Sequence, residues 1–156
     1  MQENHRKILA DAISEVMETM FFLCPEPCDP GGGLEESRSP SEVIVHIQTA
    51  DERPCQIVLH LPVALLDRMA VNVLEGLKES FSRKDLEDVA CEFVNMVAGA
   101  FLNRLDAPHR KALSLPGILA GVSEDREGWV SYSCEVEGGR LQARLSCESF
   151  QEGAAR

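Results

Sequence analysis

The sequence has little positive charge. Lysine and arginine total 15 against 26 aspartates and glutamates, which gives a formal net charge of -11. Binding to DNA or RNA depends on basic side chains that neutralise phosphates, and the sequence shows no basic stripe. An anionic membrane surface is disfavoured for the same reason. The charge balance therefore predicts no nucleic-acid or membrane partner and favours a protein partner with a basic patch.

Long apolar runs are also lacking. None reaches the roughly 18 residues that suggest a membrane span, and the amphipathic N-terminal segment MQENHRKILADAISEV has no signal-peptide core. These features predict a cytoplasmic protein. The length of 156 residues, with 44% hydrophobic and 26% charged residues, predicts a single domain over 1–156. Within it we expect a mobile Pro/Gly/Ser-rich loop at 25–41 and a flexible C-terminal tail at 151–156.

The chain has cysteines but no zinc-binding spacing. The six are Cys24, Cys28, Cys55, Cys91, Cys134 and Cys147. Only Cys24 and Cys28, in CPEPC, lie close together, and no histidine stands at ligand spacing beside them. Most of the cysteines lie in apolar contexts, where the residue acts as a small hydrophobe. The pattern predicts buried or incidental thiols, without a metal site or a disulfide framework.

Helical and strand periodicities divide the chain into blocks. Helices are expected at about 4–23, from Pro62 to Gly76, and from Ser82 or Asp85 to about 105. Strands are expected at 42–49 and 55–62, which would form a hairpin, and at 113–122, 129–136 and 141–148, the last two pairing across EGG. Pro116 places the strand 113–122 at a sheet edge, a bulge or a strand end. The order α, ββ, αα, βββ favours an α+β fold.

The first and third helices repeat one spacing. Four residues of the first recur 77 positions later in the third: Asp11, Glu15, Glu18 and Phe22 correspond to Asp88, Glu92, Asn95 and Gly99. Apolar residues between them also match, Val16 with Phe93, Met17 with Val94 and Met20 with Val97. A pair of strands follows each helix. The pattern predicts a duplicated unit packed about a pseudo-twofold axis, although any two amphipathic helices align to some degree.

The third helix carries one narrow polar line through an apolar sequence. At about 100° per residue, six positions share a single stripe: Asp88, Glu92, Asn95, Gly99, Asn103 and Asp106. A glutamate and an asparagine can hold a water and bind a lysine, but neither is a nucleophile activated by a base. A glycine on an exposed edge suits close approach by another molecule. A simple solvated face is the alternative.

These residues resemble the signature of a known family. The pattern Asp88-x3-Glu92-x2-Asn95, followed by Gly99 and by Pro116 in LSLPGIL, resembles that of the CheC/CheX/FliY chemotaxis phosphatases. The segment ISEVMETMFF is similar to the start of CheX-like domains in particular. The resemblance runs from the first helix to the last strand. It implies a CheC/CheX-like fold with long helices on a mostly antiparallel sheet.

The resemblance also implies a reaction, which is removal of the phosphoryl group from a phosphorylated CheY-type response regulator. Asn95 would orient the attacking water, and Glu92 would pair with a lysine of the partner. Asp88 and Gly99 would lie in the partner-binding surface. The partner would supply Mg²⁺, so no cofactor or metal of the chain's own is expected. CheX relatives commonly form homodimers through their sheet, which implies a homodimer here.

One site is expected, although the unit is duplicated. In the first half Glu18 stands where the asparagine should be and Phe22 where the glycine should be. A carboxylate would repel a phosphoryl group and a phenylalanine would obstruct approach, so the first helix is expected to be structural. Three other functions stay open. One is a non-catalytic module like the middle domain of the flagellar switch protein FliM, and a second is a scaffold that binds a response regulator without dephosphorylating it. A thiol or zinc protein built on CPEPC is a third.

Overall fold

The computed structural model describes residues 2–29, 42–50, 55–74, 80–105, 112–121 and 128–147. The helices are α1 (Gln2–Met20), α2 (Val63–Val73) and α3 (Arg83–Arg104). The strands are β1 (Glu26–Pro27), β2 (Glu42–Gln48), β3 (Cys55–Pro62), β4 (Gly117–Leu119), β5 (Val130–Val136) and β6 (Gly139–Cys147). The α+β class predicted from the sequence is confirmed.

The strands form one antiparallel sheet whose order is symmetric. The order is β1-β5-β6-β3-β2-β4, and every pairing is antiparallel. Exchanging β1 with β4, β2 with β5 and β3 with β6 reverses this order and leaves it otherwise unchanged. The helices follow the same rule, since α1 packs on β5 and α3 packs on β2. The sheet therefore has the pseudo-twofold arrangement that the repeated spacing predicts, with the axis between β3 and β6.

Helices α1 and α3 pack antiparallel on one face of the sheet. The ring of His5, near the start of α1, lies 6.5 Å from that of Phe101, near the end of α3. At the other end of α1, the ring of Phe21 meets that of Phe93 edge-on, with centroids 5.5 Å apart. Side chains of both helices and of the facing side of the strands form a single buried core. Its burial provides most of the stabilisation of the helices, since isolated helices of this length are marginal in water.

The first helix is shorter than predicted. It ends at Met20, and Phe22 adopts a left-handed backbone conformation with φ 58°. The backbone N–H of Leu23 then donates to the carbonyl of Met17 at 3.2 Å, so the chain turns back. Phe22 thus lies outside the helix, unlike its counterpart Gly99. The proposed match of Met20 with Val97 also fails, because Met20 is 49% exposed and Val97 is buried.

Two strand predictions also need correction. Residues 26–27, inside the predicted loop 25–41, pair with β5 as strand β1, while 30–41 lie outside the described residues. The predicted strand 113–122 is reduced to the three residues of β4, which begins directly after Pro116 at a sheet edge. Leu113 contributes only an isolated bridge to Thr49. The shortening follows from Pro116, which lacks a donor N–H and so cannot extend the ladder.

The remaining element boundaries are close to those predicted. Pro62 ends β3 and is the N-cap of α2, instead of the first helical residue of α2. Helix α2 stops at Val73, and Gly76 lies outside the described residues. The hairpin of β5 and β6 is confirmed. Its turn residues Glu137 and Gly138 both have positive φ, 51° and 80°, as tight two-residue hairpin turns require. The predicted tail at 151–156 lies outside the described residues.

The prediction of thiols without a disulfide is wrong for two cysteines. Cys55 and Cys147 form a disulfide, with Cα atoms 4.1 Å apart. They are direct register partners where β3 begins and β6 ends. No local pattern could indicate this pairing, because 92 residues separate the two cysteines. The other four cysteines are free thiols, with Cys24 exposed and Cys134 buried.

Among the described residues, no helix combines the length and the apolar composition needed to cross a bilayer.

Candidate functional site

Helix α3 begins at a complete capping box. The side-chain oxygen of Ser82 accepts a hydrogen bond from the Asp85 backbone N–H at 3.1 Å, and the Asp85 carboxylate accepts one from the Ser82 N–H at 3.0 Å. The usual partner at this position is glutamate or glutamine, but here the shorter aspartate also reaches back to the Ser82 N–H. The cap satisfies two backbone donors and fixes where the helix starts.

The buried side of α3 orients the polar line toward solvent. Its buried residues are Leu86, Ala90, Phe93, Val94, Val97, Ala98 and Phe101. On the opposite side Asp88, Glu92, Asn95 and Asn103 are exposed, and Gly99 is partly exposed. Asp106, the last predicted member of the line, lies outside the described residues. The structure thus brings Asp88, Glu92, Asn95 and Gly99 together on one exposed edge, which we call the α3 edge.

Glu92 and Asn95 are the two central side chains of the α3 edge. Within the described part of the chain, neither Glu92 nor Asn95 makes a side-chain hydrogen bond or an ion pair. Asp88 lies 3.8 Å from Lys84 Nζ in a solvent-exposed i,i+4 pair, which is worth little in water. A carboxylate and a carboxamide one turn apart are therefore available to another molecule.

Gly99 leaves open space on the same edge. Apart from the backbone of the helix itself, a Cβ built at this position meets no atom of the described residues within 4 Å, so their packing does not require glycine. Glycine in a helix costs about 1 kcal/mol relative to alanine. The physical argument for a glycine here is therefore the room that it leaves outside the protein.

Burial and nearby carboxylates disfavour the thiolate form of the α3 cysteine, Cys91, by raising its pKa. The pKa of Cys91 is raised, first by burial and then by the carboxylates of Asp88 and Glu87, with Lys84 acting in the opposite direction. Burial, followed by the influence of Cys28, raises the pKa of Cys134 to about 12. Thiols with raised pKa values stay protonated at neutral pH and are poor nucleophiles. The chemistry of the α3 edge thus rests on its carboxylates and amide.

The equivalent line on α1 differs in its contacts. Glu15, the counterpart of Glu92, accepts a hydrogen bond from Arg104 of α3, with Arg104 Nη2 2.8 Å from Glu15 Oε2. Glu18, the counterpart of Asn95, is exposed. Sequence reasoning missed the contact of Arg104, and no local pattern could have indicated it across 89 residues. The glutamate of the first half is therefore engaged by Arg104, whereas that of the second half has no hydrogen-bond or ion-pair partner among the residues that the structure describes.

A second polar cluster lies on the other face of the sheet. His60 is fully buried, with Nδ1 3.4 Å from Glu42 Oε1 and Nε2 3.3 Å from Arg144 Nη2. The Arg144 guanidinium also lies 5.7 Å from the centre of the Trp129 ring. These residues alternate with the strand residues that face the helices, so the sheet separates them from the α3 edge. Among the described residues, no group of three or more His, Cys, Asp or Glu side chains is arranged to hold a metal ion.

Solved structures of chemotaxis proteins share this fold. The chemotaxis protein CheX from Vibrio vulnificus is 15% identical, with a TM-score of 0.73 over 95% of this chain and 99% of that chain. A chain of the CheX–CheY–BeF3–Mg²⁺ complex from Borrelia burgdorferi is 16% identical, with a TM-score of 0.65 over 90% of this chain and 95% of that chain. The FliM middle domain from H. pylori is 10% identical, with a TM-score of 0.60 over 98% of this chain and 94% of that chain. At these identities the likeness shows the fold alone.

Sequence comparison gives a more specific result. No curated protein matches the chain. The family model for the chemotaxis phosphatase CheX, however, matches residues 43–135, which is more than half of the sequence and includes Glu92, Asn95 and Gly99. The chain belongs to the chemotaxis phosphatase CheX family.

Proposed function

We propose that this chain removes the phosphoryl group from the aspartyl phosphate of a CheY-type receiver domain. The single observation that carries the proposal is the exposed pair Glu92 and Asn95, which has no partner among the described residues and lies on a helix whose opposite side is buried in a CheX fold. The complex of CheX with CheY from Borrelia burgdorferi supports a receiver as the partner.

The roles of the two side chains follow from their chemistry. Glu92 is a carboxylate at the surface, so it can pair with a lysine of the receiver and fix where α3 lies across the phosphorylation site. Asn95, three residues further on, points to the same side of the helix. Its carboxamide both donates and accepts hydrogen bonds, so it can hold a water in line with the phosphorus atom. Asp88 and Gly99 would line the same contact.

The catalytic contribution would come from positioning. Asn95 is not a base, and no side chain of the α3 edge is an activated nucleophile. Orienting a water removes part of the entropic barrier, and phosphoryl transfer depends mostly on such orientation and on charges already in place. Those charges, including Mg²⁺, would be brought by the receiver, as the composition of the Borrelia burgdorferi complex supports. The glutamate at position 18 argues for one site only, because a carboxylate would repel the phosphoryl group.

The proposal is tested by adding the purified protein to a phosphorylated CheY-type receiver and following loss of the acyl phosphate. We expect dephosphorylation faster than the receiver's own rate and turnover of several receivers per chain. If the folded protein, over a range of concentrations, leaves the rate of acyl-phosphate loss equal to the receiver's own autodephosphorylation, the proposed enzymatic activity is refuted.

The same assay distinguishes a second function, favoured by the similarity to the FliM middle domain. A receiver-binding module without catalysis would bind the phosphorylated receiver and leave its rate of dephosphorylation unchanged or lower it. Binding is measured separately, by titrating the receiver against this chain.

We also propose that the single domain assembles in the cytoplasm as a homodimer through its sheet. The short edge strand β4 supports this, since the edges of a sheet present unpaired backbone groups. Sedimentation velocity at micromolar concentrations is expected to give twice the mass of the chain. A monomer at all concentrations up to about 100 μM would contradict the dimer.

A further inference from the structure

Phe22 is a large apolar side chain that the fold holds in solvent. It is 72% exposed, while its neighbours Phe21 and Leu23 are buried, with only 3% of each exposed. Met20, at the end of α1, is 49% exposed beside it in sequence. Single exposed apolar side chains are common. Here, however, the residues on both sides of the exposed ring are buried, and they restrict where its backbone can lie.

The backbone at Phe22 is strained. A φ of 58° is rare for a bulky residue, because Cβ approaches the following carbonyl. Three contacts hold it there. The Leu23 N–H donates to Met17 O at 3.2 Å, Asn72 Nδ2 donates to Phe21 O at 2.8 Å, and the Phe21 ring packs on that of Phe93. Strain that surrounding contacts maintain is a reason to look for a function.

The position of Phe22 links it to the α3 edge. The preceding residue, Phe21, contacts Phe93, which lies in α3 between Glu92 and Asn95. The pseudo-twofold axis also relates the exposed line of α1 to the α3 edge, so both lines face away from the sheet. A specific protein interface covers about 800 Å² on each partner, which is far more area than the four residues of the α3 edge present. Because Phe22 directly follows a residue that contacts α3 between Glu92 and Asn95, we expect it to fall within the area that a domain docked on this pair would cover.

We propose that Phe22, with Met20, is an apolar anchor for the receiver domain, an inference that rests on the proposed function. The exposed lines of the two helices carry acidic side chains: Glu18 on α1, and Asp88 and Glu92 on α3. The partner that fits is a receiver with basic groups beside its acyl phosphate and an apolar patch next to them. An aromatic residue enclosed by polar ones is the usual composition of an energetically dominant contact. The first half of the duplication would thus have no catalytic site of its own. It would instead provide a contact that serves the site on the α3 edge.

The test uses Phe22→Gly and Phe22→Asn, which remove the ring while tolerating a left-handed backbone. Titration against a CheY-type receiver carrying BeF3 and Mg²⁺ is expected to show a Kd about tenfold higher than wild type, or more. KM for the phosphorylated receiver should rise similarly, while kcat at saturation stays within twofold. Phe22→Tyr keeps the ring and is expected to bind like wild type. Denaturation midpoints of the glycine variant should stay near wild type, because relieved strain offsets the freedom gained by the unfolded chain.

The outcomes separate this inference from the proposed function. Glycine and asparagine variants that keep Kd and KM within twofold of wild type overturn the anchor alone. A wild type that neither binds nor dephosphorylates the receiver overturns the proposed function together with it. Loss of self-association in Phe22→Gly with unchanged receiver affinity would assign the ring to an interface between copies of the chain, which also overturns the anchor.

Discussion

Replacing Asn95 by alanine is expected to lower the rate of receiver dephosphorylation at saturating receiver by about 100-fold. The variant keeps the helix, since alanine is the best helix former and Asn95 is exposed without a partner among the described residues. What it removes is the carboxamide that would orient the attacking water. Single-turnover loss of acyl phosphate, measured with the protein in excess over the phosphorylated receiver, gives this rate directly.

Binding must be measured in the same variant, because the proposed role of Asn95 lies in the reaction and that of Glu92 in docking. Asn95→Ala is expected to bind a BeF3-loaded receiver within a few-fold of wild type. Glu92→Ala is expected to raise Kd, since it removes the carboxylate that would pair with the partner's lysine. Equal losses of affinity in both variants, with an unchanged kcat for Asn95→Ala, would contradict the assignment of water orientation.

Glu18→Ala is the matched control, because the duplication places Glu18 at the equivalent exposed position of α1. Its activity is expected to remain close to that of wild type if the chain has one site. A tenfold fall in kcat with unchanged circular dichroism would show that the first half takes part in catalysis.

The outward face of α3 could be predicted because it depends on a local period. A helix of 22 residues repeats its apolar positions often enough to fix which residues face the core, and the polar line is what is left. Asp88, Glu92, Asn95 and Gly99 accordingly share one edge. The duplication was visible for the same reason, since two helices with one spacing imply two similar surroundings. The roles of these residues in a reaction stay predictions.

Other features were hidden because they depend on contacts between distant parts of the chain. The strand β1 has only two residues, too few to show a period, and exists through its pairing with β5. The ion pair of Arg104 with Glu15 depends on how α1 and α3 cross. The early end of α1 depends on Phe21, whose burial against Phe93 turns the chain before the apolar pattern stops. The sequence pattern alone could not show whether Phe22 continues the helix or follows it as an exposed residue.

Reducing the disulfide of Cys55 and Cys147 is expected to lower the free energy of unfolding by about 4 kcal/mol. The bond closes a loop of 92 residues, so it removes a large part of the conformational freedom of the unfolded chain. It also joins β3 to β6, the two central strands that belong to different halves of the duplication. A loss of this size is a large fraction of the 5–15 kcal/mol or so that stabilises a typical domain. Urea denaturation with and without dithiothreitol measures the difference.

The double variant Cys55→Ala/Cys147→Ala provides the control, because its stability should be low and insensitive to reductant. Cys134→Ala, which changes a buried free thiol, should instead leave the effect of reductant on stability intact. Thiol titration of the unfolded, unreduced wild type is expected to give four reactive groups out of the six cysteines. Six reactive thiols together with no effect of dithiothreitol would show that the pair is reduced, and a reducing cytoplasm favours that state. The β3–β6 pairing would then depend on its hydrogen bonds and on the packing of α1 and α3 across it.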